Sequence, residues 1–249
     1  MGAWRDGRLA GLAAVSGQWL RLLAVEPGAR RQGVGTALLE RSRALAHATG
    51  ARRIRTADQP GNYLAPGIDD RDGETIGWLE RRGFARVGER LNLRVPLGEN
   101  PLVSSGRAAR LDAAVAARGY AVRRATGADT PPLLTMVRAE FGDAWAYEVE
   151  RALDADPPGV RVALHQGAIV AFAAHDGNNR GLGWFGPGGT VPAHRRFGLG
   201  LALLVRSLLD VAAAGHADAI VPWVGPEDFY ARAVGAVTDR HFVVLERPL

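Results

Sequence analysis

The stretch VEPGARRQGVGTALL, running from Val25 to Leu39, returns as VPAHRRFGLGLALL from Val191 to Leu204. Displaced by 165 positions, the sequence lays Pro27 on Pro192, Arg30 and Arg31 on Arg195 and Arg196, and Gly33 and Gly35 on Gly198 and Gly200. The match continues through Ala37, Leu38, Leu39, Arg41, Ser42 and Gly50, which fall on Ala202, Leu203, Leu204, Arg206, Ser207 and Gly215. A repeat this long is a duplicated unit. Whatever fold the chain adopts must build the same strand-to-helix junction twice.

The chemistry of that junction follows from its glycines. In each copy an apolar strand runs into Arg-Arg-x-Gly-x-Gly and then directly into an apolar helix. The first N–H groups of a helix have no partner within it, and the helix dipole adds about half a positive charge there. Glycines leave those groups open to a ligand, so the junction is a seat for a diphosphate. Flanking Arg side chains add charge-assisted hydrogen bonds at its rim. A rival Gly-x-Gly-x-x-Gly at Gly181, Gly183 and Gly186 is set aside, because Trp184, Phe185 and Pro187 do not open a helix. No Walker A loop is present, since all 31 basic residues are Arg.

The second copy reads as strand, two helices, three strands, helix, strand, helix, strand. YAVRRA alternates like a strand, TPPLLTMVRAEFG and WAYEVERALDA have helical spacing, and VRVALHQGAIVAFAAHDG reads as two strands turning at Gln166-Gly167. A strand through Trp184 and Phe185 leads to the glycines, and the following helix stops at Gly215. Then come the strand DAIVPWVG, the helix EDFYARAV and the strand RHFVVLER. The first copy opens on three strand candidates within AWRDGRLAGLAAVSGQWLRLLAVEP and lacks the opening strand and two helices, as a degenerate copy or a late chain start would. Between the copies, PLGENPLVSSGRAAR is rich in Pro, Gly and Ser and is followed by an Ala-rich helical stretch. The expected domains are residues 1–97, a linker at 98–118, and residues 119–249.

Composition narrows the function classes. With 47% hydrophobic and 23% charged residues, the 249-residue chain can bury a core. It has no Cys, which removes disulfides, thiolate nucleophiles and Cys-ligated metals together. His47, His165 and His216 show no ligand spacing, so no metal is expected. No apolar run nears the roughly 20 residues of a membrane span, and no signal-peptide pattern opens the chain, so the cytoplasm is the expected location. A formal charge of +5 suits an anionic ligand, but the Arg residues are dispersed among acidic ones without interleaved aromatics, which argues against nucleic acid.

The two stretches from Val25-x-Pro27 to Gly35 and from Thr190-x-Pro192 to Gly200 resemble the acyl-CoA motif of the GNAT superfamily of N-acetyltransferases. The element order of residues 119–249 is similar to that fold throughout, and residues 1–97 to part of it. The resemblance implies an α/β protein with a tandem GNAT fold, each lobe a mixed, mostly antiparallel sheet flanked by helices, the first lobe lacking its opening strand and two helices. It implies acetyl-CoA as cofactor, seated on Val25, Arg30, Arg31, Gln32, Gly33, Val34, Gly35 and Thr36 in the first lobe. In the second lobe the seat is Thr190, Val191, Arg195, Arg196, Phe197, Gly198, Leu199, Gly200 and Leu201.

It also implies direct attack of a small-molecule amine on the thioester. Tyr230, in GPEDFYARAVGA, stands where the family often places the acid that protonates the departing thiolate, and a phenol is protonated at neutral pH. Trp78 holds that place in the first copy, and an indole is no acid. The second lobe is therefore expected to be the active one. Candidate contacts to the acceptor are His175, Asp176 and Trp223, with Asn62, Tyr63 and Asp69 from the loop DQPGNYLAPGIDDRDG. The segments NYLAPGID and WVGPEDFY resemble tandem GNAT proteins that acetylate amino sugars such as glucosamine. An aminoglycoside, a peptide N-terminus or a polyamine would suit the same features, and a non-catalytic acyl-CoA sensor would keep the fold without turnover.

Overall fold

A computed structural model describes residues 1–61 and 63–249. The first copy forms β1 (Gly2–Arg5), β2 (Arg8–Ser16), β3 (Trp19–Val25), α1 (Val34–Ala48), β4 (Arg53–Thr56), β5 (Ile68–Asp69), α2 (Gly73–Glu80) and β6 (Ala85–Pro96). After α3 (Ser105–Ala116), the second copy forms β7 (Tyr120–Arg124), α4 (Thr130–Phe141), α5 (Asp143–Leu153), β8 (Val160–His165), β9 (Ala168–His175) and β10 (Phe185–Thr190). It ends with α6 (Leu199–Ala213), β11 (Asp218–Val221), α7 (Glu227–Val234) and β12 (Val237–Pro248). This is the element order read from the sequence. β8 and β9 turn at Gln166 (φ 51) and Gly167 (φ 82), the left-handed pair that a two-residue hairpin turn requires.

The chain divides into two compact units, and their boundaries differ from the expected 97 and 119. One unit comprises Met1–Gln59, Tyr63–Arg90 and Arg240–Leu249; the other comprises Pro60–Asn62 and Leu91–Asp239. Strand pairing is the reason. The end of β12 pairs antiparallel with β4, Glu246 opposite Arg55 and Arg247 opposite Ile54, and Phe242 pairs with Asp69 of β5. Val243 and Leu245 thereby join Leu39, Ile54 and Leu79 in the N-terminal core. Conversely, Leu93 and Val95 of β6 pair with Val221 and Ala219 of β11 and join the core of the C-terminal unit. The expected linker is folded as well. Ser104 caps α3 by accepting from the Arg107 N–H, and Ala108 and Val115 are buried.

In the C-terminal unit the sheet β10-β9-β8-β7 is covered on both faces. Ala171 and Ala173 of β9 pack with Leu203, Leu204 and Leu208 of α6, while Phe172 and Ala174 pack with Leu133, Val137 and Val149 of α4 and α5. A strand buried on both faces is apolar at every position, and this explains the uninterrupted run IVAFAA. In the N-terminal unit β1-β2-β3-β4-β12 are hydrogen-bonded neighbours. There α1 buries Leu38, Leu39 and Ala46, and α2 buries Ile76 and Leu79. Among the described residues, no helix is long and apolar enough to cross a membrane.

Candidate functional site

The duplicated sequence builds a duplicated backbone. Each junction begins with a single 3-10 turn, Pro27–Ala29 in one copy and Pro192–His194 in the other. Arg31 (φ 58) and Arg196 (φ 67) are left-handed, and Gly33 (φ 84) and Gly198 (φ 86) are left-handed N-caps of α1 and α6. Arg30 Nε donates to the Val25 carbonyl at 3.3 Å, and Arg195 Nε donates to that of Thr190 at 3.1 Å, so each Arg pins the turn to its strand. The helix ladders start with the Ala37 N–H on Gly33 O and the Ala202 N–H on Gly198 O. The N–H groups of Val34, Gly35 and Thr36, and those of Leu199, Gly200 and Leu201, lie ahead of the ladders. A Cβ placed on Gly33 or Gly200 would meet nothing within 4 Å, so the space before these amides is open to an anion.

Each strand feeding a junction is also bulged and splayed. Ala14 pairs with Leu22 and Val15 with Leu20, leaving Arg21 of β3 out of register. Phe185 pairs with His175 and Gly188 with Ala173, leaving Gly186 and Pro187 of β10 out at the equivalent place. β3 runs parallel to β4 only at Trp19–Arg55 and Leu20–Thr56, and the second copy keeps a single parallel bridge, Trp184–Ile220. Beyond these contacts the parallel strands part. In the N-terminal unit the gap is a cleft of about 900 Å³, lined among others by Leu22, Val25, Thr56, Ile68, Trp78 and Arg82. Of the residues expected to seat a diphosphate there, Val25, Arg30, Arg31, Gly33, Gly35 and Thr36 line it. Gln32 instead donates to Gly28 O at 2.8 Å.

A parted pair of parallel strands, ending at an open helix N-terminus, is the geometry against which the comparisons are set. Residues 1–84 match the family model described as the acetyltransferase (GNAT) family. That match covers about a third of the chain. The whole chain has the tandem GNAT fold. A glucosamine N-acetyltransferase region of a fungal multi-domain GH3 β-N-acetylglucosaminidase has 20% identity and a TM-score of 0.74 over 97% of this chain. This chain spans 32% of that protein's length. A GCN5-related N-acetyltransferase from Sphaerobacter thermophilus has 19% identity and a TM-score of 0.69, covering 98% of this chain and 78% of its own. A tandem GNAT protein from the clavulanic acid biosynthesis pathway has 17% identity and a TM-score of 0.65, covering 98% and 81%. No curated protein matches the chain in sequence.

Within the two units the expected site residues fall unevenly. Tyr230 lies on α7 with its ring 6.3 Å from Phe185 and 5.1 Å from Phe229, so it sits beside the strand bulge of the C-terminal unit. Burial pushes its phenol up to about 12. Trp78 is on α2, where a Cβ on Gly35 would stand 3.5 Å from its ring. Arg82 lies 4.1 Å over that ring, donates to Trp78 O at 3.0 Å and donates to Thr36 Oγ1 at 3.1 Å. The cleft residue Arg82 was missed in the sequence, where it reads as an ordinary basic helix end.

The candidate acceptor contacts are scattered. His175 is buried at the end of β9, its Nδ1 3.3 Å from Asp176 Oδ2, and this hydrogen bond holds the Asp176 carboxyl below the usual range. Trp223 is left-handed (φ 47), and its N–H donates to Asn92 Oδ1 at 3.0 Å. Asp69 on β5 is engaged by Arg71 at 2.5 Å and Arg240 at 3.6 Å, which pulls its carboxyl down to about 2. Tyr63 is buried, Leu64 and Ala65 beside it line the N-terminal cleft, and Asn62 lies outside the described residues. In the second junction, Tyr120 Oη is 3.1 Å from His194 Nδ1, and Phe197 packs on the Tyr120 ring at 5.5 Å. Among the described residues no group of acidic, His or Cys side chains could hold a metal.

Proposed function

We propose that the protein moves the acetyl group of acetyl-CoA to the amine of a small amino sugar such as glucosamine, with the chemistry in the C-terminal unit. The observation that carries the reading is the placement of Tyr230 beside the β10 bulge, upstream of an open helix N-terminus. The amides of Leu199, Gly200 and Leu201 take the diphosphate, and the parted strand edge takes the pantetheine arm. Bound there, acetyl-CoA supplies an activated thioester. Pro187 has no N–H, so the donor this bulge can turn out of the ladder is the Gly186 N–H. Fixed before the reaction begins, it stabilises the oxyanion that forms on the thioester carbonyl. Tyr230, held protonated by burial, gives its proton to the leaving thiolate.

In this reading the N-terminal unit binds acyl-CoA without turning it over. Its cleft has the space and the cationic rim, but Trp78 stands where an acid would be needed. The likeness to a glucosamine N-acetyltransferase region supports the choice of acceptor. The test is thiol release from acetyl-CoA over a panel of amino sugars, aminoglycosides, amino acids and peptides. With no Cys in the chain, a thiol reagent reads coenzyme A against no protein background. Glucosamine is expected to give the highest kcat/KM. A peptide as the best acceptor overturns the amino-sugar assignment, and an absence of thiol release with every amine overturns the enzymatic one.

A further inference from the structure

The inner face of α5 carries a carboxyl that the reaction above leaves unused. Glu148 is only 6% exposed, with Trp145 and Ala152 on the same face of the helix. Two sets of contacts fix its level along β10. At one end, the Trp145 and Phe141 rings stack at 5.3 Å and both pack on Phe172, the register partner of Gly189. A Cβ on Gly189 would stand 2.6 Å from the Phe141 ring. At the other end, a Cβ on Gly177 would meet the Glu148 backbone carbonyl first and stand 3.5 Å from Ala152 Cβ, and Gly177 lies two residues after His175, the partner of Phe185. From Trp145 to Glu148 the helix advances roughly 4.5 Å, or one to two strand residues. Counted from Gly189 toward Phe185, that step ends at the bulge of Gly186 and Pro187.

The geometry points to Glu148 as the base that takes the proton of the acceptor's ammonium group, opposite the bulge that holds the thioester carbonyl. The inference rests on the acetyl transfer proposed above and completes its proton balance. The ammonium gives one proton to Glu148. The free amine then attacks the carbonyl carbon, a C–N bond forms and the C–S bond breaks. The thiolate takes the Tyr230 proton, and the second proton lost by nitrogen restores the phenol.

Burial alone raises the Glu148 carboxyl to about 7, where a base is about half ionised and still basic at neutral pH. The charged groups on neighbouring elements are occupied elsewhere. On α4, Arg138 lies 3.9 Å from Asp143; on β8, Arg161 is bound by Asp210; at the end of β9, His175 pairs with Asp176. On α5 itself, Arg151 donates to Gly177 O at 3.0 Å and accepts a hydrogen bond from Arg180 at its own carbonyl.

With glucosamine and acetyl-CoA, kcat/KM of the native chain should rise with pH through a break near 7. In Glu148→Gln that break should vanish and kcat fall by about 100-fold or more, while the calorimetric affinity for coenzyme A stays unchanged. Glu148→Asp should keep a break at a lower rate. A Gln variant with the native break and an undiminished kcat overturns the inference alone. If the Gln variant does not fold, an Asp variant with the native rate and profile overturns it equally. A native chain that releases no thiol with any amine overturns the functional reading and this inference with it.

Discussion

Glu148 is held against its own interest. Its carboxyl moves from about 4.5 in the unfolded chain to about 7 in the folded one, so the folded state binds more protons across that window and stability falls as pH rises through it. The loss is complete above 7 and amounts to about 3 kcal/mol at the usual conversion. Glu148→Gln, which keeps the shape and removes the charge, should therefore be more stable than the native chain at pH 8 and nearly equal at pH 4. Denaturant midpoints at the two values check this. Burial moves Tyr230 in the same direction, but from a higher starting value, so the phenol stays protonated throughout the neutral range. Tyr230→Phe should lower kcat by about 100-fold and leave coenzyme A affinity unchanged, measured by thiol release and by calorimetry. That Tyr230 stands on a short helix was legible, because EDFYARAV reads directly as one, but its role as the acid came only from the resemblance. Glu148 left a trace too, as the charged residue on the helix face of the buried Ala146, Val149 and Ala152, but its level along β10 depends on contacts far apart in the sequence.

At the scale of elements, the two junctions are the same construction with different surroundings. A Cβ on Gly200 meets open space, whereas one on Gly35 meets Trp78 and Val25. Gly200→Val should thus place its side chain in the diphosphate seat without crowding the fold. Calorimetry should show coenzyme A binding in the C-terminal unit weakened at least about tenfold, about 1.4 kcal/mol, with the unfolding temperature unchanged. The repeat spacing, the glycines and the element order were all legible, because helix and strand periods are local properties of the sequence. The strand β10, FGPGGT, was reached only from the preceding Trp184 and its own first residue, Phe185, since a run of Gly and Pro has no strand signature. The bulges were not legible either, because a bulge is a relation between two strands.

For the whole molecule, the decisive feature is that Arg240–Leu249 belongs to the N-terminal unit and Leu91–Pro96 pairs within the C-terminal one. Pairing partners of strands this distant have no local mark, and this is why boundaries set by the repeat at 97 and 119 missed the exchange. A fragment ending at 97 lacks Val243 and Leu245, which are 4% and 0% exposed, and the Glu246 carboxylate 2.9 Å from Arg55. It should fail to fold alone and gain its circular-dichroism signal only when the peptide 240–249 is added. The same arrangement orders events on the ribosome. Every residue of the C-terminal unit has been synthesised before Arg240, so that unit can close while the chain still grows. The N-terminal unit, translated first, must wait for residues 240–249 to clear the exit tunnel, so its core, and the cleft above it, are completed later than the unit that follows it in sequence.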